Sequence, residues 1–145
     1  KGVFQAKPIG IKTTEDGQAL YRMTRENEKR YSSFIAALSM VNNAAFEELY
    51  QFYLPTFDSA YAELGLNEGS FHSTLIKAIN VILDAPPVDS ALILVQPTVA
   101  YKYQDPELEK LSAVQKLLLR MGTENSEALK LELREIKQKL EALGI

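Results

Sequence analysis

The chain has 145 residues and a net charge of −3, from 16 Lys and Arg against 19 Asp and Glu. It has no cysteine and one histidine, His72, which excludes thiol catalysis, disulfides, zinc–thiolate sites and metal sites that need two imidazoles from one chain. The mildly acidic balance without a basic stripe argues against nucleic acid as a partner, because phosphate contacts need clustered cations.

The first 23 residues predict an irregular segment or a β-hairpin. Residues 9–14 and 18–23 flank Glu15-Asp16-Gly17. An Asp-Gly pair between two such runs favours a tight turn, because glycine accepts the positive φ that the turn demands.

Residues 24–84 predict three helices, the second with the strongest apolar periodicity. The first begins after Thr24, a suitable N-cap, and ends at Asn42-Asn43. In the second, Pro55 predicts a kink or break and Gly65 a stop. We expect the apolar stripe of this helix to face the core; it consists of Phe46, Leu49, Tyr50, Tyr53, Phe57, Ala60, Tyr61 and Leu64.

The third helix is predicted from Ser70 to Asp84, where Pro86-Pro87 ends it. Residues 88–104 then predict an extended segment, because Val99, Tyr101 and Tyr103 alternate with other side chains at the period of a half-buried strand. Pro97 favours an edge strand or an irregular extended segment over a central strand.

Residues 105–145 predict the C-terminal helices. Asp105-Pro106 is a typical helix start, Gly122 a stop, and Ser112 could cap a second turn, which would give two short helices. The last helix, 124–143, is amphipathic with a predicted Glu135–Lys139 ion pair. Its apolar seam spans only about two heptads, so we expect it to dock within its own domain rather than on another copy; the seam is Leu129, Leu133, Ile136, Leu140 and Leu143.

The pattern as a whole predicts a single, mainly α domain of five or six helices with a minor β-hairpin or extended segment. Few residues suggest chemistry. His72 is predicted on the first turn of a helix, where the positive end of the helix dipole favours an uncharged imidazole. We favour a surface or packing role for it. The paired glutamates are typical of polar helix faces, and the aromatic stripe of the second helix is more typical of a core than of a pocket wall.

No targeting or membrane segment is evident in the sequence. The longest apolar runs, such as residues 91–95, are far short of the about 20 residues that cross a bilayer. Because the chain begins with Lys1 and not with methionine, we expect a processed or trimmed fragment from which an anchor could have been removed.

A long motif lies in residues 96–125. It reads Pro-x-Val-x-Tyr-x-Tyr-x-Asp-Pro-x-Leu-Glu-x-Leu from Pro97 and Gln-Lys-x-Leu-Leu-Arg-Met-Gly from Gln115, followed by Asn125. The motif resembles an uncharacterised Gram-negative bacterial family, a domain of unknown function with an N-terminal membrane anchor and a soluble helical domain after it. Weaker likeness covers most of the remaining chain. The resemblance implies an inner-membrane-anchored origin with this domain in the periplasm, and it implies no activity.

Five residues of this motif region are candidates for partner binding: Tyr101, Lys102, Tyr103, Lys116 and Arg120. Lys116 and Arg120 are four apart and share a helix face, so with Lys102 they could form a small cationic patch beside the two tyrosines. Such a patch suits a carboxylate, a phosphate or an acidic peptide.

The alternative for Arg120 is an internal role, in which it caps helix carbonyls or pairs with Glu109 or Asp105. For the whole chain we predict a non-enzymatic module, monomer or weak dimer, that binds a protein or peptide without a cofactor or metal. An extended edge could also accept a partner strand. Two alternatives stay open: a ligand-binding or hydrolytic domain with an aromatic pocket and His72 as the titrating group, and a self-association unit that uses the last helix.

Overall fold

The computed structural model describes residues 4–65, 69–87 and 92–145, with only the backbone of residues 11 and 12. In these ranges the chain is mainly α with a small antiparallel sheet, as predicted. The strands are β1 (Ala6–Thr13), β2 (Ala19–Met23), β3 (Ile93–Val95) and β4 (Lys102–Tyr103). The helices are α1 (Arg25–Val41), α2 (Phe46–Glu63), α3 (Phe71–Leu83), α4 (Pro106–Lys110), α5 (Ala113–Met121) and α6 (Thr123–Ala142).

Two compact units divide the chain. The first, the sheet unit, comprises Lys1–Phe34 and Pro86–Glu127, and the second, the helical unit, comprises Ile35–Ala85 and Ala128–Ile145. The boundaries fall inside α1 and α6.

The sheet unit contains all four described strands, in the antiparallel order β1-β2-β3-β4. The predicted hairpin is confirmed, with Gly17 in the turn at φ +77°. At the start of β1, the carboxamide of Asn27 exchanges two hydrogen bonds with the backbone of Gln5, at 3.1 and 2.6 Å. Asn27 is almost completely buried, so its carboxamide joins α1 to the first strand, beside the backbone hydrogen bond from Thr24 N to Gln5 O at 3.3 Å.

The core of the sheet unit lies between the sheet and α5. It consists of Leu92, Leu94, Tyr103 and Leu119, which are buried, with partly buried side chains around them. The predicted caps of α4 and α5 are confirmed: the Asp105 side chain accepts from Glu107 N, and Ser112 and Gln115 form a capping box that starts α5 as a separate helix.

The predicted extended segment is two short strands rather than one. Residues 96–100 form a bend between β3 and β4, and Val99 is 96% exposed, so its predicted place on a half-buried strand is wrong. The chain reverses here because β3 and β4 pair antiparallel, with Leu94 opposite Tyr103. Pro97 lies in this bend, where no ladder hydrogen bond is needed. Residues 88–91 of the predicted segment lie outside the described ranges.

In the helical unit, α2 packs against α3, and most of its predicted stripe is not buried. Tyr50 is buried, while Leu49, Tyr53 and Phe57 are exposed, so the prediction that the whole stripe faces the core is wrong. Of the kink or break predicted at Pro55, the break is wrong, because α2 runs through this residue. Pro55 is exposed and costs one backbone hydrogen bond, whose acceptor belongs to an exposed residue that water can reach.

The apolar seam of α6 is buried within the chain, as intramolecular docking predicts; its buried members are Leu129, Leu133, Ile136 and Leu140. The predicted Glu135–Lys139 ion pair is replaced by contacts to Asn42. The Asn42 carboxamide donates to Glu135 at 2.9 Å, and Lys139 donates to its oxygen at 2.7 Å. Asn42, at the end of α1, therefore binds both side chains in place of the direct ion pair within α6.

Candidate binding site

A pocket of about 310 Å³ lies in the sheet unit, at the β4 edge of the sheet. The bend before β4, β4 itself, β3, α5 and the segment before β1 supply its walls. Its lining residues are Phe4, Leu94, Val99, Ala100, Tyr101, Lys102, Tyr103 and Arg120. Four of the five predicted binding residues therefore line one pocket, and Lys116 does not.

Aromatic rings form one wall of this pocket. The Tyr101 ring lies 5.8 Å from Phe4 and 5.2 Å from Tyr21, centroid to centroid, the latter edge-on. The Arg120 guanidinium carbon lies 5.8 Å from the centroid of the Phe4 ring, a cation–π contact. This contact holds an exposed guanidinium beside an apolar surface.

Lys116 is bound to Glu109 and not to the pocket. Its Nζ lies 2.9 Å from Glu109 Oε1, and both side chains are partly shielded from solvent. Burial acts to raise the pKa of Glu109, but hydrogen bonds from Lys116 and from Tyr103 N outweigh it, so this pKa lies below its usual range. The predicted three-cation patch is therefore reduced to Lys102 and Arg120. The internal pairing predicted for Arg120 with Glu109 is made by Lys116 instead.

Glu109 also closes the free edge of the sheet. Its Oε2 accepts a hydrogen bond from the backbone N–H of Tyr103 at 2.9 Å, while Gln104 N donates to Ile93 O on β3. Neighbouring residues of a strand point their N–H groups to opposite sides, so Tyr103 N is the group that a new strand would need. A side chain occupies it already.

Tyr103 forms the buried floor between the pocket and α5. Its hydroxyl donates to Lys116 O at 3.3 Å. Burial raises the pKa of this hydroxyl, and the charge and hydrogen bond of Arg120 act against that rise. At neutral pH Tyr103 is thus a neutral donor, and the positive charge at the pocket comes from Lys102 and Arg120.

His72 has the packing role that the sequence favours. It is buried at the start of α3, and its Nδ1 lies 2.9 Å from the Tyr50 hydroxyl. Burial raises the pKa of Tyr50. The hydrolytic alternative requires a carboxylate or serine partner for His72, and its observed partner is a tyrosine.

In residues 4–65, 69–87 and 92–145, no group of three or more His, Asp and Glu side chains could hold a metal ion. None of the helices described there is long and apolar enough to cross a membrane.

Sequence reasoning missed four pocket residues, Phe4, Leu94, Val99 and Ala100, and one supporting residue, Glu109. Phe4 and Leu94 reach the pocket only through the pairing of the sheet, which brings β3 beside the hairpin. Glu109 looked like one of several acids on a first helical turn. Its position four residues after Asp105 in a five-residue helix could have indicated that it points back toward the preceding strand.

The described residues are therefore mainly helical with a small sheet, and the sheet unit carries a cationic, aromatic pocket. The chain belongs to the family described as protein of unknown function (DUF3014), whose model matches residues 3–137. No curated protein and no solved structure matches the chain.

Proposed function

We propose that this domain is a non-enzymatic interaction module that binds an acidic peptide segment in the pocket beside β4. One observation carries the proposal. Lys102 and Arg120 both line an aromatic pocket, and among the described residues neither has a carboxylate within ion-pair distance. Cations left unpaired beside apolar rings are suited to a carboxylate brought by a partner.

The chemistry of the pocket indicates the kind of segment. A guanidinium binds a carboxylate through two parallel hydrogen bonds, while Phe4 and Tyr101 offer ring surface to an apolar side chain next to it. The ligand is therefore an Asp or Glu adjacent to an aromatic or large aliphatic residue. Side-chain recognition is favoured over strand addition, because Glu109 already occupies the N–H of Tyr103.

Replacing Arg120 with methionine is expected to weaken binding of an acidic peptide about tenfold, which corresponds to about 1.4 kcal/mol. Methionine keeps a long side chain beside Phe4 but removes the charge and the donors. The probe is a fluorescein-labelled decapeptide with one central Phe between two Glu residues, and fluorescence anisotropy measures its dissociation constant.

The matched control is Lys110→Met, which removes one positive charge from an exposed pair with Glu107, outside the pocket. This variant should bind the probe as the unchanged chain does, and the same peptide with Lys in place of Glu should bind at least tenfold more weakly. Equal losses of affinity for Arg120→Met and Lys110→Met would mean that only the net charge of the chain matters, and they would contradict binding in the pocket.

We also propose, from the family resemblance, that the domain belongs to a Gram-negative bacterial protein anchored in the inner membrane and faces the periplasm. The full-length protein should then sediment with membranes. Protease added to spheroplasts should remove this domain while it spares cytoplasmic markers. Protection of the domain until the spheroplasts are lysed would contradict the proposed orientation.

The other candidate functions have less support. His72 has a tyrosine partner in place of the acid or serine that hydrolysis requires. Self-association through α6 would require an apolar seam that is already buried within the chain.

A further inference from the structure

A second apolar surface lies on the helical unit, along α2. Leu49, Phe52, Tyr53 and Phe57 are 54%, 74%, 49% and 39% exposed. Their successive spacings are three, one and four residues, so they cover one side of the helix over more than two turns. Large apolar side chains grouped in this way on a surface indicate a site of interaction. We call these four residues the α2 surface.

The three aromatic rings of the α2 surface contact one another in sequence. Phe52 meets Tyr53 edge-on with ring centroids 5.0 Å apart, and Tyr53 lies 6.3 Å from Phe57. Phe57 in turn lies 5.0 Å from Phe71 on α3. The rings therefore form a continuous strip that extends from α2 to the start of α3.

The chain segment that contains the α2 surface carries charge of a single sign. Residues 31–76 contain no Lys or Arg, and their acidic residues are Glu47, Glu48, Asp58, Glu63 and Glu68. Lys139 of α6 lies over the Phe46 ring at the start of α2, 5.9 Å from its centroid, and donates to Asn42. Glu48 and Glu63 are exposed, and neither has an ion-pair partner in the part of the chain that the structure describes. Glu48 lies one turn before Phe52, so an unpaired carboxylate stands next to the most exposed ring.

We propose that the α2 surface binds a cationic amphipathic helix of another protein. Apolar side chains at helical spacing on the partner would cover the rings, as in other helix–groove complexes. Its Lys and Arg residues would meet Glu48 and Glu63 and the faces of the rings, where cations are also attracted. A second copy of this chain would place acid against acid, and an anionic membrane would be repelled for the same reason.

The test uses an 18-residue fluorescein-labelled peptide made of Leu and Lys, with Leu at i, i+3, i+4 and i+7, and the whole 145-residue chain. The peptide should bind, and its Leu–Glu counterpart should bind at least tenfold more weakly. The double substitution Phe52→Ser with Tyr53→Ser should weaken binding of the Leu–Lys peptide at least tenfold. Circular dichroism checks that these exposed substitutions leave the helical content unchanged.

The control for apolar exposure is Met40→Ser on α1, which is 77% exposed and lies in the same unit. Met40→Ser should bind the Leu–Lys peptide as the unchanged chain does, and Glu48→Gln with Glu63→Gln should weaken binding at least threefold. Equal losses for Met40→Ser and the ring variant would overturn the proposal, as would equal binding of the two peptides. A dimer seen by sedimentation and lost in the ring variant would assign the α2 surface to self-association and would also overturn it.

Arg120→Met separates this proposal from the acidic-peptide site. It should not weaken binding of the Leu–Lys peptide, because Arg120 belongs to the other unit and its positive charge does not attract that peptide. Either proposal can therefore fail while the other stands.

Discussion

Leu119→Ala is expected to lower the free energy of unfolding by about 3–4 kcal/mol, the cost of a large cavity in a closed core. Leu119 has no exposed surface and packs with Leu92, Leu94 and Tyr103 between α5 and the sheet. Urea denaturation followed by circular dichroism measures the change.

The matched control for this prediction is Leu117→Ala. Leu117 lies on the same helix two residues earlier and is 43% exposed, so the same truncation should cost less than about 1 kcal/mol. Unfolding of the two variants at the same urea concentration would show that α5 does not bury the face that contains Leu119. It would contradict the core described for the sheet unit.

Asn27→Leu is expected to lower the free energy of unfolding by about 2–3 kcal/mol, although it adds apolar surface to a buried position. Leucine has a similar branched shape but no polar atom, so it cannot bond the N–H and C=O of Gln5 or the Thr24 carbonyl, as the Asn27 side chain does. The two carbonyls would keep backbone partners, Thr24 N and Asn27 N, but the N–H of Gln5 would lose the partner that the carboxamide supplies. The same urea experiment measures this loss.

A polar residue on the exposed side of α1 serves as the control for Asn27. Ser33→Ala changes an exposed helical position and should alter the free energy of unfolding by less than about 0.5 kcal/mol. Asn27→Leu should also increase amide hydrogen exchange in β1, because the strand would lose its attachment to α1. An unchanged exchange rate in β1 would show that the hairpin holds its place without this carboxamide.

Elements with local signals could be predicted from the sequence. The turn at Gly17, the capping box of Ser112 and the stop at Gly122 depend on residues only a few positions apart. Their chemistry does not require knowledge of the rest of the fold. The C-terminal helices and the hairpin are accordingly found close to their predicted places.

Elements that depend on tertiary packing could not be predicted in this way. The apolar stripe of α2 is wider than the face that α3 covers, so periodicity alone could not decide which of its residues become buried. Tyr50 is buried through its contact with His72, and Tyr53, three residues later, is not. The bend at residues 96–100 likewise follows from pairing of β3 with β4 and not from alternation.

The candidate site was predictable in part. Tyr101, Lys102 and Tyr103 are neighbours in sequence, and Arg120 lies on the helix that packs behind them, so four predicted residues meet at one pocket. Lys116 does not line this pocket and is bonded to Glu109, which lies seven residues earlier on a different helix. Sequence spacing within one helix does not reveal such a pairing.

The carboxylate of Glu109 has a consequence for how copies of this chain behave at high local concentration. Because this carboxylate accepts the hydrogen bond from Tyr103 N, a strand of a neighbouring molecule has no donor to bind there, and the sheet ends at β4. On β1, at the opposite end, Pro8 has no N–H to offer. Crowded molecules are thereby discouraged from stacking edge to edge into fibrils.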